Sequence, residues 1–471
     1  MKLHCPSPAD LACMSHAEKD ALIVQLFDLL SKLEQRVGEV EGQVEKTSRN
    51  SSKPPSSDGL RKGAAEPRRR GAKPSGGQPG HSGRTLRMVE TPEVAIDLRP
   101  SGGCACGRAW ADQAATLTER RQQIDIPAPR TLVTEYRQWA LRCACGCERR
   151  EPFPADLPPN VSYGPRLKAY AVGLIEGHFV GLERTAEILW DQYGIRPSDG
   201  TLQAWVRQAG ARLTPAYTAA GAAVLAADVA HFDESGMRVQ GDLHWLHVAA
   251  SADAVYYTTH PRRGQEAMTA AGILPHFAGI AVHDHWKPYW HYRPAGHALC
   301  NAHHLRELRY FEASTGHWWP VAVRRLLVEG KEAVAHAQAE QRTALDPATV
   351  ADLLARYDEQ IANGLAAFPI EPPDPDDTRR GRTKQHPATN LLLRLRDYRT
   401  EVWRFLTDWR VPFDNNRAER AVRPVKVKLK VIGSFRAVGG AQAFCILRSV
   451  WETSKLNGRN PFETLRAAFA G

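Results

Sequence analysis

From Val229 the hydrophobic period of the chain drops to two, and this change constrains the fold more than any other feature of the sequence. His231-Phe232-Asp233-Glu234-Ser235-Gly236-Met237-Arg238-Val239 is followed by Gln240-Gly241-Asp242 and then by Leu243-His244-Trp245-Leu246-His247-Val248. A third run, Ala254-Val255-Tyr256-Tyr257-Thr258-Thr259, comes next. Successive side chains of a strand leave opposite faces of a sheet, so alternation marks strands with one apolar face. Gly241 suits the tight turn between two of them. The segment predicts a three-stranded antiparallel meander.

A helical stretch from Gly264 to Ala270 leads to Gly279-Ile280-Ala281-Val282-His283-Asp284, which reads as a buried strand ending in an acid. Three antiparallel strands, a helix and a further strand are the opening of a ribonuclease H-like fold. Leu305 to Leu365 is mostly helical, Pro369 to Pro387 is a proline- and charge-rich break, and Leu391 to Trp409 is helical again. The expected fold is therefore multidomain α/β.

The region before the core is built differently. Leu22, Leu26, Leu29, Leu33, Val37, Val40 and Val44 recur every three or four residues, the seam of an amphipathic helix. Such a helix either forms a short coiled coil with a second copy or packs on the chain's own body. Ser48 to Thr85, with Arg68-Arg69-Arg70 and Gly76-Gly77-Gln78-Pro79-Gly80, lacks the apolar residues to fold alone and reads as a basic linker. Thr131-Leu132-Val133-Thr134-Glu135-Tyr136 has β character and lies between two cysteine clusters. Gly164 to Gln208 reads as helices with a break at Gly194-Ile195, and Ser198 is a plausible N-cap for a second helix through Trp205. That outline fits a helix-turn-helix, whose second helix can enter a major groove, and equally a helical hairpin.

The formal net charge of +10 favours a polyanionic partner, because neutralising phosphates releases condensed counterions. Met1 to Asp20 lacks the apolar core of a secretory signal, and no apolar run reaches the roughly 20 residues that span a bilayer. No membrane role and a cytoplasmic setting are expected. Five of the nine cysteines fall between Cys104 and Cys147, a clustering that points to metal rather than disulfides.

Cutting a phosphodiester requires a hydroxyl nucleophile and a stabilised leaving oxygen, and divalent ions held by hard oxygen ligands serve both needs. Asp233 within its strand and Asp284 at the end of a later one can share such an ion if those strands are neighbours. Asp414-Asn415-Asn416-Arg417-Ala418-Glu419-Arg420 offers helix caps ahead of a third acid, Glu419. Glu234 projects to the opposite strand face from Asp233 and is set aside. Around Glu419 the residues Arg417, Arg420, Arg423, Lys426, Lys428, Lys430 and Arg436 are accompanied by no other acid. Alternation in Lys426-Val427-Lys428-Leu429-Lys430-Val431 predicts a strand with its lysines on one face, either a phosphate-binding surface or a protected edge. Six histidines and Cys300 lie between His283 and His304, and Cys300-Asn301-Ala302-His303 has a spacing compatible with a metal on a helix. Arg306 is a candidate phosphate contact.

Phe232-Asp233-Glu234-Ser235, Val282-His283-Asp284-His285-Trp286, Cys300-Asn301-Ala302-His303-His304-Leu305-Arg306-Glu307 and Asp414-Asn415-Asn416-Arg417-Ala418-Glu419-Arg420-Ala421-Val422-Arg423-Pro424 resemble transposases of the insertion-sequence sixty-six family. So does the linker phrase Asn50-Ser51-Ser52-Lys53-Pro54-Pro55-Ser56-Ser57-Asp58. The resemblance spans nearly the whole chain. It implies a DDE-type transposase that binds element ends and performs metal-dependent strand cleavage and strand transfer. Asp233, Asp284 and Glu419 would be its triad on Mg²⁺ or Mn²⁺, with element-end and target DNA, a homo-oligomer and companion proteins of the same element as partners. It further implies a zinc-ribbon-like module from Cys104, Cys106, Cys143, Cys145 and Cys147. The first cluster is Cys-x-Cys, where the family has Cys-x-x-Cys, and this leaves the ligand set open. A domesticated ribonuclease H-like endonuclease and a non-catalytic zinc-containing DNA-binding protein are the alternatives.

The expected boundaries are a helical segment over 1–47, the linker over 48–90, the zinc-binding-like module over 91–160 and the helix-turn-helix-like region over 161–222. The core follows in two parts, 223–300 and 405–450, around the insertion at 301–404, with a C-terminal element over 451–471.

Overall fold

A computed structural model describes residues 13–44, 86–154, 157, 160–293, 295–372, 383 and 385–470. The expected linker lies outside the described residues up to residue 85, as do residues 373–382 of the proline-rich break. The chain divides into two units, Leu60–Val133 and a larger one comprising Met1–Gly59 with Thr134–Gly471.

In the smaller unit a tight turn closes where Cys104 N–H donates to Arg108 O and Gly107 N–H donates to Cys104 O, both at 2.8 Å. Elsewhere the described residues are mostly irregular, with Val89 and Gln122 exchanging two hydrogen bonds of 2.7 Å.

The larger unit opens with helix α1 (His16–Val44). No strand forms over Thr131–Tyr136: Leu132 and Val133 are exposed, with no apolar surface to cover their strand face. The paired strands come later, β1 (Ala140–Arg142) and β2 (Glu148–Arg150), joined through a second cysteine turn. There Cys143 N–H donates to Cys147 O, and Gly146 adopts the positive φ that the turn needs.

Helix α2 (Pro165–Val172), a π turn at Gly173–Gly177, α3 (Leu182–Tyr193) and α4 (Asp199–Leu225) follow. Gly194 ends α3 in the left-handed conformation, and the Ser198 side chain caps α4 by accepting the Thr201 N–H. Helix α4 runs well beyond Trp205, through Pro215, because its later turns also bury Leu213, Ala220 and Val224.

The sheet contains β3 (Val229–Val239), β4 (Asp242–Ala250), β5 (Val255–His260), β6 (Ile280–His283) and β7 (Gly296–Leu299) in the order β5-β4-β3-β6-β7. The first three form the expected meander, while β6 and β7 are parallel to β3. Helix α5 (Gln265–Ala270) lies in the crossover. Alternation divides the sheet into two faces. Ala230, Phe232, Ala249 and Ala281 pack with Val224, Met268, Phe277 and Tyr289 on one. On the other, Met237, Val239, Leu246 and Val248 meet Val422, Val425, Phe444 and Cys445, and Val282 and Ala298 meet the apolar sides of the helices from α6 onward.

Those helices are α6 (Asn301–Thr315), α7 (Trp319–Ala339), α8 (Pro347–Ala367), α9 (Pro387–Asp397) and α10 (Arg399–Thr407). Helices α11 (Asn416–Val431), α12 (Val438–Leu456) and α13 (Pro461–Ala470) complete the chain. The strand expected over Lys426–Val431 is therefore the last part of α11. Its K-V-K-L-K-V pattern satisfies either period locally. Ala418, Val422 and Val425, at helical spacing, are all buried and extend one stripe into it.

Gly279 precedes β6 where two backbones approach. A Cβ there would lie 2.5 Å from Ala227 O and 2.6 Å from Asp228 O. Gly279→Ala is expected to destabilise the fold by about 1–3 kcal/mol, read as a lower midpoint in urea unfolding at an unchanged slope; an unaltered midpoint contradicts this packing.

Candidate active site

The acids of the site are positioned by strand register. In the parallel ladder Val229 pairs with Ile280, Ala230 with Ala281 and His231 with Val282. Carried two residues further, that offset leads Asp284, just after β6, toward Asp233, and its charge acts on the Asp233 carboxyl. Asp233 shares its strand face with Met237 and Val239, the face on which α11 packs. Glu419 stands in the first turn of that helix.

Asn415, immediately before α11, ties this helix to β3. Its side-chain amide donates to Phe232 O at 2.7 Å and its Oδ1 lies 2.9 Å from His231 Nδ1. The side chain therefore does not cap its own helix; instead Asp414 Oδ1 accepts the Asn416 N–H at 3.1 Å. Further along α11, the Tyr257 hydroxyl donates to Ala421 O at 2.8 Å.

Burial raises the affinity of Asp233 for its proton, and the charges of Glu234, Asp284 and Glu419 add to the effect. One backbone bond, from Glu234 N–H to Asp233 Oδ1 at 2.9 Å, works against it. Asp284 is raised by burial and opposed by the Trp286 N–H, which it accepts at 2.9 Å, and by Arg263. Two half-buried carboxylates close enough for one charge to act on the other suit a divalent cation.

Glu419 Oε1 lies 3.8 Å from Cys300 Sγ, 3.8 Å from His303 Nδ1 and 3.9 Å from Arg306 Nη2. Arg306 thus sits at the acid cluster, its Nε also donating to Ala302 O at 3.3 Å. On the opposite strand face Glu234 accepts from Arg263 Nη2 and from the Tyr289 hydroxyl, both at 2.7 Å. Burial, with Asp284, lifts its carboxyl to about 7. Arg263 lies between Trp245 and Trp286, 4.8 and 4.1 Å from their ring centres. Sequence reasoning missed this set; Arg263 and Tyr289 carry no local motif, and only the fold brings them to Glu234.

The basic residues of α11 divide. Arg420, Arg423, Lys430 and Arg436 are exposed. Arg417, also exposed, donates to Ser251 O and Ala252 O. Lys426 Nζ donates to Gly236 O at 3.1 Å near Asp233. Lys428 is buried, 4.0 Å from Glu176 Oε1 and over the Phe435 ring, so the shared lysine face expected of a strand does not form. The helical period turns Lys428 inward, and its charge meets a buried glutamate rather than solvent.

The exposed thiols of the two cysteine turns are polarised. Cys106 is lowered by the Arg108 backbone and by Cys104, and Cys145 falls to about 7 through the Cys147 backbone and the thiols of Cys143 and Cys147.

With this geometry in view, residues 160–443 match the transposase IS66 family. The chain belongs to that family. Membership makes it a transposase, a nuclease-type enzyme that acts on DNA. Residues 5–87 match a family of unknown function. Two relatives from Sinorhizobium fredii are uncharacterized proteins. One, y4qI, is 23% identical over 86% of this chain and 76% of its own length. The other, y4hP, is 24% identical over 79% and 70%. Among the described residues no helix is long and apolar enough to cross a membrane.

The raised proton affinity of Asp233 has a consequence for stability in this transposase. The folded state holds the proton to a higher pH than the unfolded chain, so stability falls as pH rises through that interval. Asp233→Asn removes the charge and is expected to stabilise the metal-free protein at neutral pH, on the order of 1 kcal/mol. Thermal unfolding in a chelator checks this, and a variant less stable than the native chain contradicts it.

Proposed function

We propose that the chain binds the ends of a mobile element, cleaves strands there and joins the freed 3′ hydroxyls to target DNA, with Asp233, Asp284 and Glu419 as the catalytic carboxylates. The observation that carries this reading is the β3–β6 ladder, whose offset leads Asp284, just after β6, toward Asp233, with the charges of Asp284 and Glu419 both acting on the Asp233 carboxyl. The order β5-β4-β3-β6-β7, three antiparallel strands followed by two parallel ones, supports a ribonuclease H-like core. Helices α6 to α10 form the insertion between its second and third acids.

Carboxylate oxygens on separate elements suit Mg²⁺ or Mn²⁺, and these ions, when bound, activate the attacking hydroxyl and stabilise the leaving oxygen. Asp233 stands on β3, Asp284 follows β6 with its side chain held by the Trp286 N–H, and Asn415 fixes the start of the helix that carries Glu419. One centre can serve both reactions, first with water and then with a 3′ hydroxyl as nucleophile. No covalent bond between protein and DNA is needed.

Arg420, Arg423, Lys430 and Arg436 would meet phosphates, with Arg306 and Arg417 nearer the acids. Helices α3 and α4 are the DNA-reading pair in this proposal. The exposed Leu26, Leu29 and Leu33 of α1 suit self-association, which action on two element ends requires. Each cysteine turn bears thiols suited to structural Zn²⁺, and companion proteins of the same element complete the set of partners.

On labelled element-end DNA with Mg²⁺ and the companion proteins, Asp233→Ala, Asp284→Ala and Glu419→Ala are each expected to bind DNA and to lose cleavage and joining by at least roughly 10³-fold. Equal cutting by native and variant chains contradicts the assignment.

A further inference from the structure

We propose that Cys300, His303 and Glu419 form a binding site for a thiophilic divalent ion such as Zn²⁺ or Co²⁺. Among the described residues, these three offer a thiol, an imidazole and a carboxylate whose ligand atoms all lie within 4.8 Å of one another. A tetrahedral zinc centre with sulfur at about 2.3 Å and nitrogen and oxygen near 2.0 Å separates its ligand atoms by roughly 3.3–3.8 Å. Cys300 Sγ and His303 Nδ1 each already lie 3.8 Å from Glu419 Oε1. Contraction of these two distances by a few tenths of an ångström, with Cys300 Sγ and His303 Nδ1 drawn together from within 4.8 Å of each other, would complete three positions, and water would take the fourth.

The surroundings support a ligand role. Cys300 is buried at the start of α6, where the Asn415 backbone N–H donates to its sulfur at 3.1 Å. Burial pushes the Cys300 thiol up to about 12 and this bond opposes the shift, so the charge of a bound cation is what would release the thiol proton. His303 Nδ1 is buried without a hydrogen-bond partner and faces the Glu419 carboxylate. Glu419 keeps partial solvent access, so an ion can enter. Arg306, 3.9 Å from the same carboxylate oxygen, holds part of its charge and would yield that oxygen to an ion.

The donor set selects the ion. Mg²⁺ takes oxygen ligands in near-ideal octahedra, whereas sulfur and nitrogen suit Zn²⁺ and Co²⁺. An ion held here withdraws Glu419 from the neighbouring carboxylates, so micromolar Zn²⁺ would inhibit Mg²⁺-dependent cutting. That consequence rests on the catalytic reading of Glu419; the binding itself does not.

Cobalt titration of the full chain tests the site, read as thiolate-to-cobalt charge-transfer absorption. Difference spectra between the native chain and Cys300→Ser cancel bands from Cys104 to Cys147. One equivalent of thiolate-bound cobalt is expected in the native chain and lost in Cys300→Ser. His303→Ala, which retains every thiol, is expected to bind that equivalent at least about tenfold more weakly. Its titration stands as the test if the serine variant fails to fold. Superimposable native and Cys300→Ser spectra, or an unchanged His303→Ala titration, overturn the proposal. Cobalt binding without DNA cutting would keep this site and remove the catalytic reading. Cutting without cobalt binding would do the reverse.

Discussion

The parallel pairing of β3 with β6 brings the segment of Asp284 to the edge of the strand that carries Asp233. Once Val229, Ala230 and His231 pair with Ile280, Ala281 and Val282, the chain leaving β6 carries Asp284 close enough for its charge to act on Asp233. A slip of one residue would turn one of them to the other face of the sheet. Burial on both faces makes such a slip costly, because Val282 and Ala281 belong to different apolar clusters. The same pairing brings the insertion onto the sheet, since β6 and β7 supply its floor, and it leaves β3 free beyond His231. There the residues after α11 return: Phe435 N–H donates to Arg238 O at 3.0 Å and Gln240 N–H to Phe435 O at 2.8 Å.

The third acid comes from a helix, and its position depends on polar contacts. Asn415 uses its side chain to bridge His231 and the Phe232 carbonyl, and its backbone N–H to meet Cys300. Three segments far apart in the sequence therefore converge on one asparagine. At the far end of α11 the buried Lys428 lies near Glu176, and Arg448 donates to the carbonyls of Glu176 and Gly177. The helix bearing Glu419 is in this way joined at one end to the sheet and at the other to the π turn before α3. Concentrating carboxylates in such a setting opposes folding in the absence of a cation, the usual conflict between a reactive site and a stable one.

Much of this was legible in the sequence for a definite physical reason. Period-two alternation gave the meander, and the apolar run before Asp284 gave β6, because burial on defined faces leaves a local signature. Ser198 was legible as a cap for the same reason: its hydrogen bond is made three residues away. The late part of α11 was misread because its lysines alternate with apolar residues over too few positions to separate the two periods, while the deciding stripe starts earlier, at Ala418. Strand β7 is short, and its four residues, Gly296 to Leu299, carry little alternation. Arg263, Tyr289 and the partner of Lys428 were invisible because their roles arise from contacts between distant segments. The Cys300–His303 spacing was readable, yet its proximity to Glu419 follows only from the meeting of the N-terminal ends of α6 and α11.

Asp233, Asp284 and Glu419 are proposed to hold divalent ions together. Iron-mediated cleavage of the protein backbone tests this assignment most directly: Fe²⁺ replaces Mg²⁺, and ascorbate with peroxide generates hydroxyl radicals at the bound ion. Cuts beside residues 233, 284 and 419, suppressed by excess Mg²⁺, are expected. Cuts confined to other segments, or unaffected by Mg²⁺, would contradict it.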